Sequence, residues 1–339
     1  MHIEAKLPLF ATPGEGTRSL DPQGEMLERA DEVMRVVRDV VPGAAYALCA
    51  WDPLAASHVH RPLVNEGFSD RFMEHVNDSF IRENPAFPVM HTQVSGPLRW
   101  RDLTREWGID FAKTVTAEEF LIPEGYREGA TCCLRLRDGR YTGAVHVSWV
   151  KEQYATDERR DTLARFRPVL AAVCDMLRAP NLLASAIAPG ASAIVVSAGG
   201  VVADLPGYEG WFGLPAAREL RTLLARHQGP RTRRRFLWPD IAGVCRRIEV
   251  FPCTGGALLM SAETIPWPYG LSARELQVLH VLARGLSNPG IARALSISPR
   301  TASTHVEHIL AKLNCASRSR LAAVATEEGL LLVEDPTVR

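Results

Sequence analysis

The sequence of 339 residues has no net charge, since 39 lysines and arginines balance 39 aspartates and glutamates. A balanced chain has no overall field that would draw it to nucleic acid or to an acidic membrane. Any nucleic-acid binding must therefore come from a local excess of basic residues. The sequence also lacks an apolar run of the roughly 18 residues that a membrane span needs. Its first residues show no basic stretch leading into a secretory apolar run. We expect a cytoplasmic protein that makes no membrane contact.

Cysteine is sparse and irregularly placed. Seven cysteines occur without a repeated spacing, which argues against a disulfide framework and against a zinc pattern. The adjacent pair Cys132 and Cys133 favours a buried strand over a redox couple, because neighbouring side chains on a strand point to opposite faces. His305 and His308 stand three positions apart without a second pair of ligands, so we expect no metal site.

The signatures of common enzymes are also missing. No serine stands in the tight glycine turn of a hydrolase, and no spacing of nucleophile and base stands out. A phosphate-binding loop of the form GxxxxGK[ST] does not occur, which excludes the large ATP-dependent regulators. The pattern starts with a helix and continues through hairpins, which argues against a phosphate-accepting receiver domain at the start of the chain. We expect neither enzyme activity nor a cofactor.

Hydrophobic residues make up 46% and charged residues 23%, which is typical of a globular protein with enough apolar side chains for several cores. At roughly 150 residues per domain, the length predicts two or three domains. We predict a multidomain α+β protein. Its parts are a loose N-terminus over 1–22, an α+β domain over 23–180, a smaller α+β domain over 190–262, a proline-rich linker over 263–270 and an all-α domain over 271–335.

The strongest hairpin signal lies in the larger α+β domain. Two strand-like runs, 131–137 and 141–150, are joined by Asp138, Gly139 and Arg140, and Asp-Gly supplies the positive backbone angles of a tight turn. A long helix over 157–178 follows, and Ala179-Pro180 is expected to break the chain.

The smaller α+β domain shows less regular signals. The pattern over 192–204 predicts a strand, a Gly-Gly turn and a second strand, and 216–227 has a helical pattern. Two further strand-like runs, 246–250 and 256–261, precede the linker. We see no internal repeat.

Local chemistry predicts four helices in the last part of the chain. Ser272 followed by Glu275 forms a capping box at the start of the first helix. Ser287 and Ser317 are expected to cap the second and fourth helices. Ser298 is expected to cap the third, with proline at its first position, where a missing N–H costs nothing. Two short helices joined by a three-residue turn are typical of a helix-turn-helix, whose second helix enters the major groove of DNA.

The third of these helices has one apolar stripe that must pack inward. The remaining residues of its first half, among them Arg300, Ser303, Thr304 and Glu307, therefore point away from the core. In this motif that half of the helix meets the base edges. The segment 271–333 holds seven arginines and lysines against four glutamates, a net charge of +3 within a neutral chain. A few phosphate contacts by such a segment give salt-sensitive DNA binding.

This segment resembles the LuxR/FixJ/GerE-type DNA-binding domain of bacterial transcriptional regulators over about 60 residues without a gap. The matching stretches are LSARELQVL, the GLSN before IARAL, SISPRTASTHV and ILAKLNCASRSRLAAVA. The resemblance implies a homodimer formed through the helix from Ser317 to Glu328, bound to double-stranded DNA, with RNA polymerase as a further candidate partner. It also implies DNA contacts, which fall on Asn288, Arg300, Thr301, Ser303, Thr304, Glu307 and Lys312.

The sequence departs from the family pattern at two places. Pro289-Gly290 stand where the family often has Lys-Glu, and Gly290 removes a carboxylate that would complete a capping box. Ser303 stands where the family often has a basic residue, which weakens the expected guanine contact.

The element order of the larger α+β domain resembles a GAF-type sensor domain, and the smaller one is similar to PAS-like folds. Both resemblances imply a cavity between sheet and helices that holds an unidentified small-molecule effector. Residues of these types belong to an ordinary hydrophobic core more often than to a ligand pocket. With that alternative open, the candidate lining residues are Trp51, Trp100, Trp107, Phe111, His146 and Trp149.

Two other functions stay open at this point. A sigma-factor-like subunit of RNA polymerase also contains a four-helix promoter-reading module, but the α+β domains argue against it. A ligand-binding or protein-interaction protein with a degenerate helix-turn-helix is kept open by Gly290 and Ser303.

Overall fold

The computed structural model describes residues 22–332 except positions 56, 78, 94–95, 188–189, 209, 214–219, 221–233, 241 and 254–256. The described residues form two compact units, one of 22–50 with 60–174 and one of 51–59 with 175–332. The predicted N-terminus over 1–22 lies outside the described residues apart from position 22. The predicted helix over 216–227 lies outside them apart from position 220.

The first unit is an α+β fold built on one antiparallel sheet. Its strands are β1 (Ala45–Trp51), β2 (His60–Glu66), β3 (Leu98–Arg99), β4 (Glu128–Arg135) and β5 (Tyr141–Trp149). Its α-helices are α1 (Pro22–Val40), α2 (Asp70–Asn77), α3 (Ser79–Glu83), α4 (Ala86–Pro88), α5 (Trp100–Trp107) and α6 (Asp157–Val173). Short π-helical turns cover Val89–Gln93 and Thr116–Leu121, and 3₁₀ turns cover Phe111–Lys113 and Glu152–Tyr154.

The sheet of the first unit has the order β2-β1-β5-β4-β3. The predicted hairpin is confirmed as β4 and β5, and its turn places Gly139 at φ +86°. Strand β2 has no counterpart among the sequence predictions. It lies at the edge of the sheet and contains Pro62, which an edge strand tolerates because one row of its N–H groups has no partner.

A buried ion pair joins three elements of the first unit. Arg99 and Asp102 are each about 1% exposed, and the guanidinium donates to both carboxylate oxygens at 2.8 and 2.9 Å. Arg99 also donates to the Ala155 carbonyl at 2.6 Å and to Asp157 at 2.6 Å. The guanidinium therefore ties β3 and α5 to the start of α6.

The second unit begins with α7 (Arg178–Ile187) and contains a second antiparallel sheet. The strands of this sheet are β6 (Ser192–Val196), β7 (Val202–Asp204), β8 (Arg234–Pro239), β9 (Cys245–Pro252) and β10 (Leu258–Thr264). A 3₁₀ turn covers Gly210–Gly213. The order is β7-β6-β10-β9-β8, so in both sheets the strands run second, first, fifth, fourth, third. The two α+β parts thus share a sheet topology that no internal sequence repeat indicated.

The expected break at Ala179-Pro180 is wrong, because both residues lie in the first turn of α7. The first N–H groups of a helix have no intrahelical acceptor, so a proline there loses no hydrogen bond. Among the described residues, no single helix is long and apolar enough to cross a membrane. Among these residues, only α6 and α7 taken together reach that length and composition.

The chain ends in four helices, α8 (Ala273–Ala283), α9 (Asn288–Ala294), α10 (Pro299–Lys312) and α11 (Arg318–Glu327), after a 3₁₀ turn at Pro268–Gly270. Their common core also includes Leu237 and Cys245 from the neighbouring sheet. Leu237 on the edge strand β8 donates its N–H to the carbonyl of Leu331 at 2.7 Å and forms a parallel bridge with Leu332. The residues after α11 therefore hold the helical part against the edge of the second sheet. The multidomain α+β architecture with an all-α C-terminal part is confirmed.

Candidate nucleic-acid interface

The N-terminal ends of the last four helices form largely as the sequence predicts. Ser272 and Glu275 make a complete capping box at α8. The hydroxyl of Ser298 accepts from the N–H of Thr301, and that of Ser317 accepts from the N–H of Arg320. The second helix differs from the prediction, because Ser287 stands at its N-cap without a side-chain hydrogen bond.

The turn between α9 and α10 has the shape that a helix-turn-helix needs. Ser296 adopts φ +53°, and this left-handed residue redirects the chain within a few positions. The N–H of Ile297 donates to the carbonyl of Ala292 at 2.9 Å, which closes α9. The second helix of the motif, α10, then starts at Pro299.

One face of α10 is buried, and the opposite face is exposed. Its inward side chains are fully or almost fully covered, namely those of Ala302, Val306, Ile309 and Leu313. Arg300, Thr304 and Glu307 are exposed on the opposite face, as the sequence predicts. His308 continues the same face one turn further on, and the spacing of Arg300, Thr304 and His308 by four residues could have revealed it. The exposed face therefore carries a guanidinium, a hydroxyl, a carboxylate and an imidazole group.

Two exposed arginines occur in the last turn of α9 and at the start of α10. Arg300 is at the start of α10 and Arg293 is in the last turn of α9, and both side chains are exposed. Within the described part of the chain neither guanidinium makes an ion pair. An exposed arginine without an acidic neighbour gains the most from a phosphate contact, since nothing must be displaced first.

The similarity to known proteins lies in this part of the chain. Residues 270–325 match the family described as "Bacterial regulatory proteins, luxR family". The nitrate/nitrite response regulator protein NarP of Escherichia coli (strain K12) is 49% identical over 65 residues, which are 19% of this chain and 29% of NarP. The transcriptional regulatory protein FixJ of Azorhizobium caulinodans is 41% identical over 68 residues, which are 20% of this chain and 32% of FixJ.

The C-terminal domain is a LuxR-family helix-turn-helix domain. The chain spans less than a third of the length of these curated relatives, and the similarity lies in that domain. Among solved structures, the PixJ GAF domain of Thermosynechococcus elongatus has 12% identity and a TM-score of 0.36, covering 50% of this chain and 97% of that one. A likeness this low carries no argument about the α+β parts, whose fold we take from their own sheets.

Within the LuxR-family domain, two of the predicted DNA contacts are joined to each other. The amide of Asn288 donates to the hydroxyl of Ser303 at 2.9 Å, and Arg318 donates to the Asn288 carbonyl oxygen at 3.0 Å. Arg318 also donates to the backbone carbonyl of Leu286. This chain of hydrogen bonds locks the start of α9 to α10 and leaves Ser303 half-buried.

Lys312 is exposed at the end of α10, but its ammonium group is engaged. It lies 2.8 Å from a carboxylate oxygen of Glu275 and 2.7 Å from the carbonyl of Gly270. Burial opposes ionisation of Glu275, but hydrogen bonds from Lys312 and Ser272 outweigh it and lower the pKa of this carboxyl to about 2. Lys312 therefore connects α10 to the start of α8. A phosphate at the predicted contact would compete with Glu275 for the ammonium group of Lys312.

The first unit contains a cavity beside its sheet, and three of the six predicted lining residues reach it: Trp100, Phe111 and His146. Trp149 is buried elsewhere and its indole donates to the Pro42 carbonyl at 2.7 Å. Trp107 is 37% exposed at the end of α5. Trp51 packs near His58, with ring centroids 6.3 Å apart, and does not line the cavity either.

The polar residues that share the cavity with His146 were not predicted from the sequence. Thr131 pairs with His146 across β4 and β5, and Gly129 pairs with Ser148 two positions along. All four line the cavity, because residues two apart on a strand share one face. The space among the lining residues, counted together with the solvent at its mouth, is about 350 Å³.

Proposed function

We propose that this protein is a bacterial transcription regulator that binds double-stranded DNA as a homodimer and responds to a small molecule in its first α+β unit. The observation that carries the proposal is the LuxR-family domain with an exposed α10 face flanked by free arginines. The curated relatives that share this domain are named as regulators, which supports the same function here. Such a function places the protein in the cytoplasm, with access to DNA and to RNA polymerase.

We assign different roles to different residues of the LuxR-family domain, namely base contact, backbone contact and positioning of the helices. Thr304, Glu307 and His308 are placed to meet base edges, because they stand on the exposed face of α10. In this proposal Arg293, Arg300 and Thr301, all of which are exposed, contact the sugar–phosphate backbone. Asn288 and Ser303 act first on each other, so in this proposal they position α9 and α10 and touch DNA from that fixed arrangement.

The proposed dimer uses the segment from Ser317 to Glu328, which consists of α11 and its two caps. Leu321, Val324 and Ala325 of this helix are buried in the domain itself. The outward face carries short side chains, among them Ala323 and Thr326, which allow a second helix to approach closely. Sedimentation of the wild type and of Ala323→Arg tests this step. We expect a dimer that shifts towards monomer in the variant, and a monomeric wild type would contradict it.

DNA binding is tested with the full-length protein and a fluorescent duplex of its own upstream region, titrated between low and moderate salt. Arg300→Ala removes one phosphate contact and should lower the slope of log affinity against log salt by about 0.9. Thr304→Ala should weaken binding to the upstream duplex more than binding to a scrambled one. Arg35→Ala makes the same change of charge on the exposed face of α1 and serves as the matched control.

The rival functions give different results in the same titration. A degenerate domain predicts weak binding that neither Arg300→Ala nor Thr304→Ala changes. A sigma-factor-like subunit predicts that specific binding appears only when core RNA polymerase is added. Specific, salt-dependent binding by the protein alone, lost on replacing Thr304, supports the regulator.

A further inference from the structure

The cavity of the first unit contains a histidine with an unused ring nitrogen. His146 is 7% exposed, and its Nδ1 lies 3.0 Å from the hydroxyl of Thr131. Its Nε2 has no hydrogen-bond partner among the described residues. A buried polar atom without a partner is unfavourable, so the site is more stable when a ligand supplies one.

Two donors lie on the same cavity wall as His146. The hydroxyl of Ser148 and the indole N–H of Trp100 also line the cavity and make no hydrogen bond to a described residue. A Cβ at Gly129 would lie 2.8 Å from the indole nitrogen, so only glycine lets Trp100 approach the strand this closely. This wall of the cavity therefore combines two hydrogen-bond donors with the open ring nitrogen of His146.

The rest of the described lining is mostly apolar, and four of its side chains are phenylalanines. Phe68 and Phe72 stack with centroids 4.7 Å apart, and Trp100 and Phe111 lie 5.2 Å apart. Among the described residues that line the cavity there is no lysine, arginine, aspartate or glutamate. Burial lowers the pKa of His146 to about 4, so its imidazole is neutral at pH 7. A charged ligand would lose its hydration here without gaining a counter-ion.

From this arrangement we infer that the cavity binds a small neutral phenol, with its ring among the phenylalanines and its hydroxyl on His146. With Nδ1–H donating to Thr131, Nε2 accepts the phenolic O–H, and the phenolic oxygen accepts from Ser148 or Trp100. One hydroxyl then satisfies the open nitrogen of His146 and one of the two donors. This inference rests on the proposed function, for which it names the class of effector.

The test is a ¹⁹F NMR titration of the full-length protein with three probes of similar size. They are 4-fluorophenol, 4-fluorotoluene, which replaces the hydroxyl by a methyl group, and 4-fluorobenzoate, which is charged. We expect 4-fluorophenol to bind about tenfold more tightly than 4-fluorotoluene, as one buried hydrogen bond implies. We expect no measurable binding of 4-fluorobenzoate.

Two variants assign the selectivity to His146. In His146→Phe the two neutral probes should bind within about threefold of each other, because the ring is kept and the acceptor is lost. In His146→Gln a side-chain amide replaces the acceptor, and part of the preference for the phenol should remain. Three results with the wild type would overturn the inference: equal binding of both neutral probes, tightest binding of 4-fluorobenzoate, or no binding of any probe. Because these results come from the wild type, the inference can be tested even if a variant fails to fold.

The outcome is independent of the DNA titration, which is run without any probe. Phenol selectivity in a protein that fails to bind DNA would contradict the proposed regulator and leave the ligand site standing. Specific DNA binding without phenol selectivity would remove the ligand class and leave the regulator.

Discussion

The ion pair of Glu275 allows one prediction to be worked through from the structure. One carboxylate oxygen accepts from the N–H and the hydroxyl of Ser272 and from Lys312, each at 2.8 Å. These contacts lower the pKa of the carboxyl from 4.5 to about 2, and at about 1.4 kcal/mol per pKa unit the charge stabilises the LuxR-family domain by about 3 kcal/mol at pH 7. Glu275→Gln keeps the shape and removes the charge, so we expect a loss of this size.

The pH dependence follows from the direction of the shift. A carboxyl whose pKa is lowered by folding stabilises the fold above its unfolded pKa, and that contribution is lost as the pH falls from about 5 towards 2. The wild type and Glu275→Gln should therefore differ at pH 7 and converge near pH 2. Hydrogen exchange of α8 and α10 in the full-length protein measures the opening free energy of this domain by itself.

An exposed ion pair of the same domain provides the control. Arg320 and Glu327 lie 3.7 Å apart with both side chains more than half exposed, so Glu327→Gln should change the opening free energy by about 0.5 kcal/mol or less. Equal losses for the two variants, or a difference between Glu275→Gln and wild type that does not shrink at low pH, would refute the reasoning.

Two further predictions concern the first unit. Arg99→Met leaves the buried carboxylate of Asp102 with only the longer contacts to Arg105 at 3.3 Å and Arg160 at 3.8 Å, and it should lower the free energy of unfolding by about 3 kcal/mol in urea denaturation. Asp157→Asn, at a largely exposed partner of Arg99, should cost about 1 kcal/mol or less, and similar losses for the two variants would count against the buried pair. Gly143→Ala places a Cβ 2.0 Å from a backbone oxygen of β1 at φ +154° and should cost at least about 3 kcal/mol by thermal unfolding. Gly139→Ala, at φ +86° in open space, should cost only about 1 kcal/mol, and equal effects of the two glycine variants would show that the close approach is unimportant.

Local sequence was enough to predict most of the helical C-terminal domain. Helix ends depend on contacts within three or four residues, so Ser272, Ser298 and Ser317 could be assigned as caps from residue type and spacing alone. The inward stripe of α10 could also be predicted, because apolar residues recur in the sequence at the three- and four-residue spacing of a helix. The hairpin of β4 and β5 could be predicted because its turn chemistry is local.

Which side chains share a site depends instead on the tertiary fold. Lys312 looked free in the sequence, but Glu275, 37 positions away, takes up its charge. Thr131 carries no sequence signal of a cavity, and it faces His146 because the register of β4 against β5 pairs the two residues. Ser148 lies on the same side of the sheet because it is the second residue after His146 on β5. Contacts between distant positions depend on how whole elements pack, and a local pattern of residues holds no information about that packing.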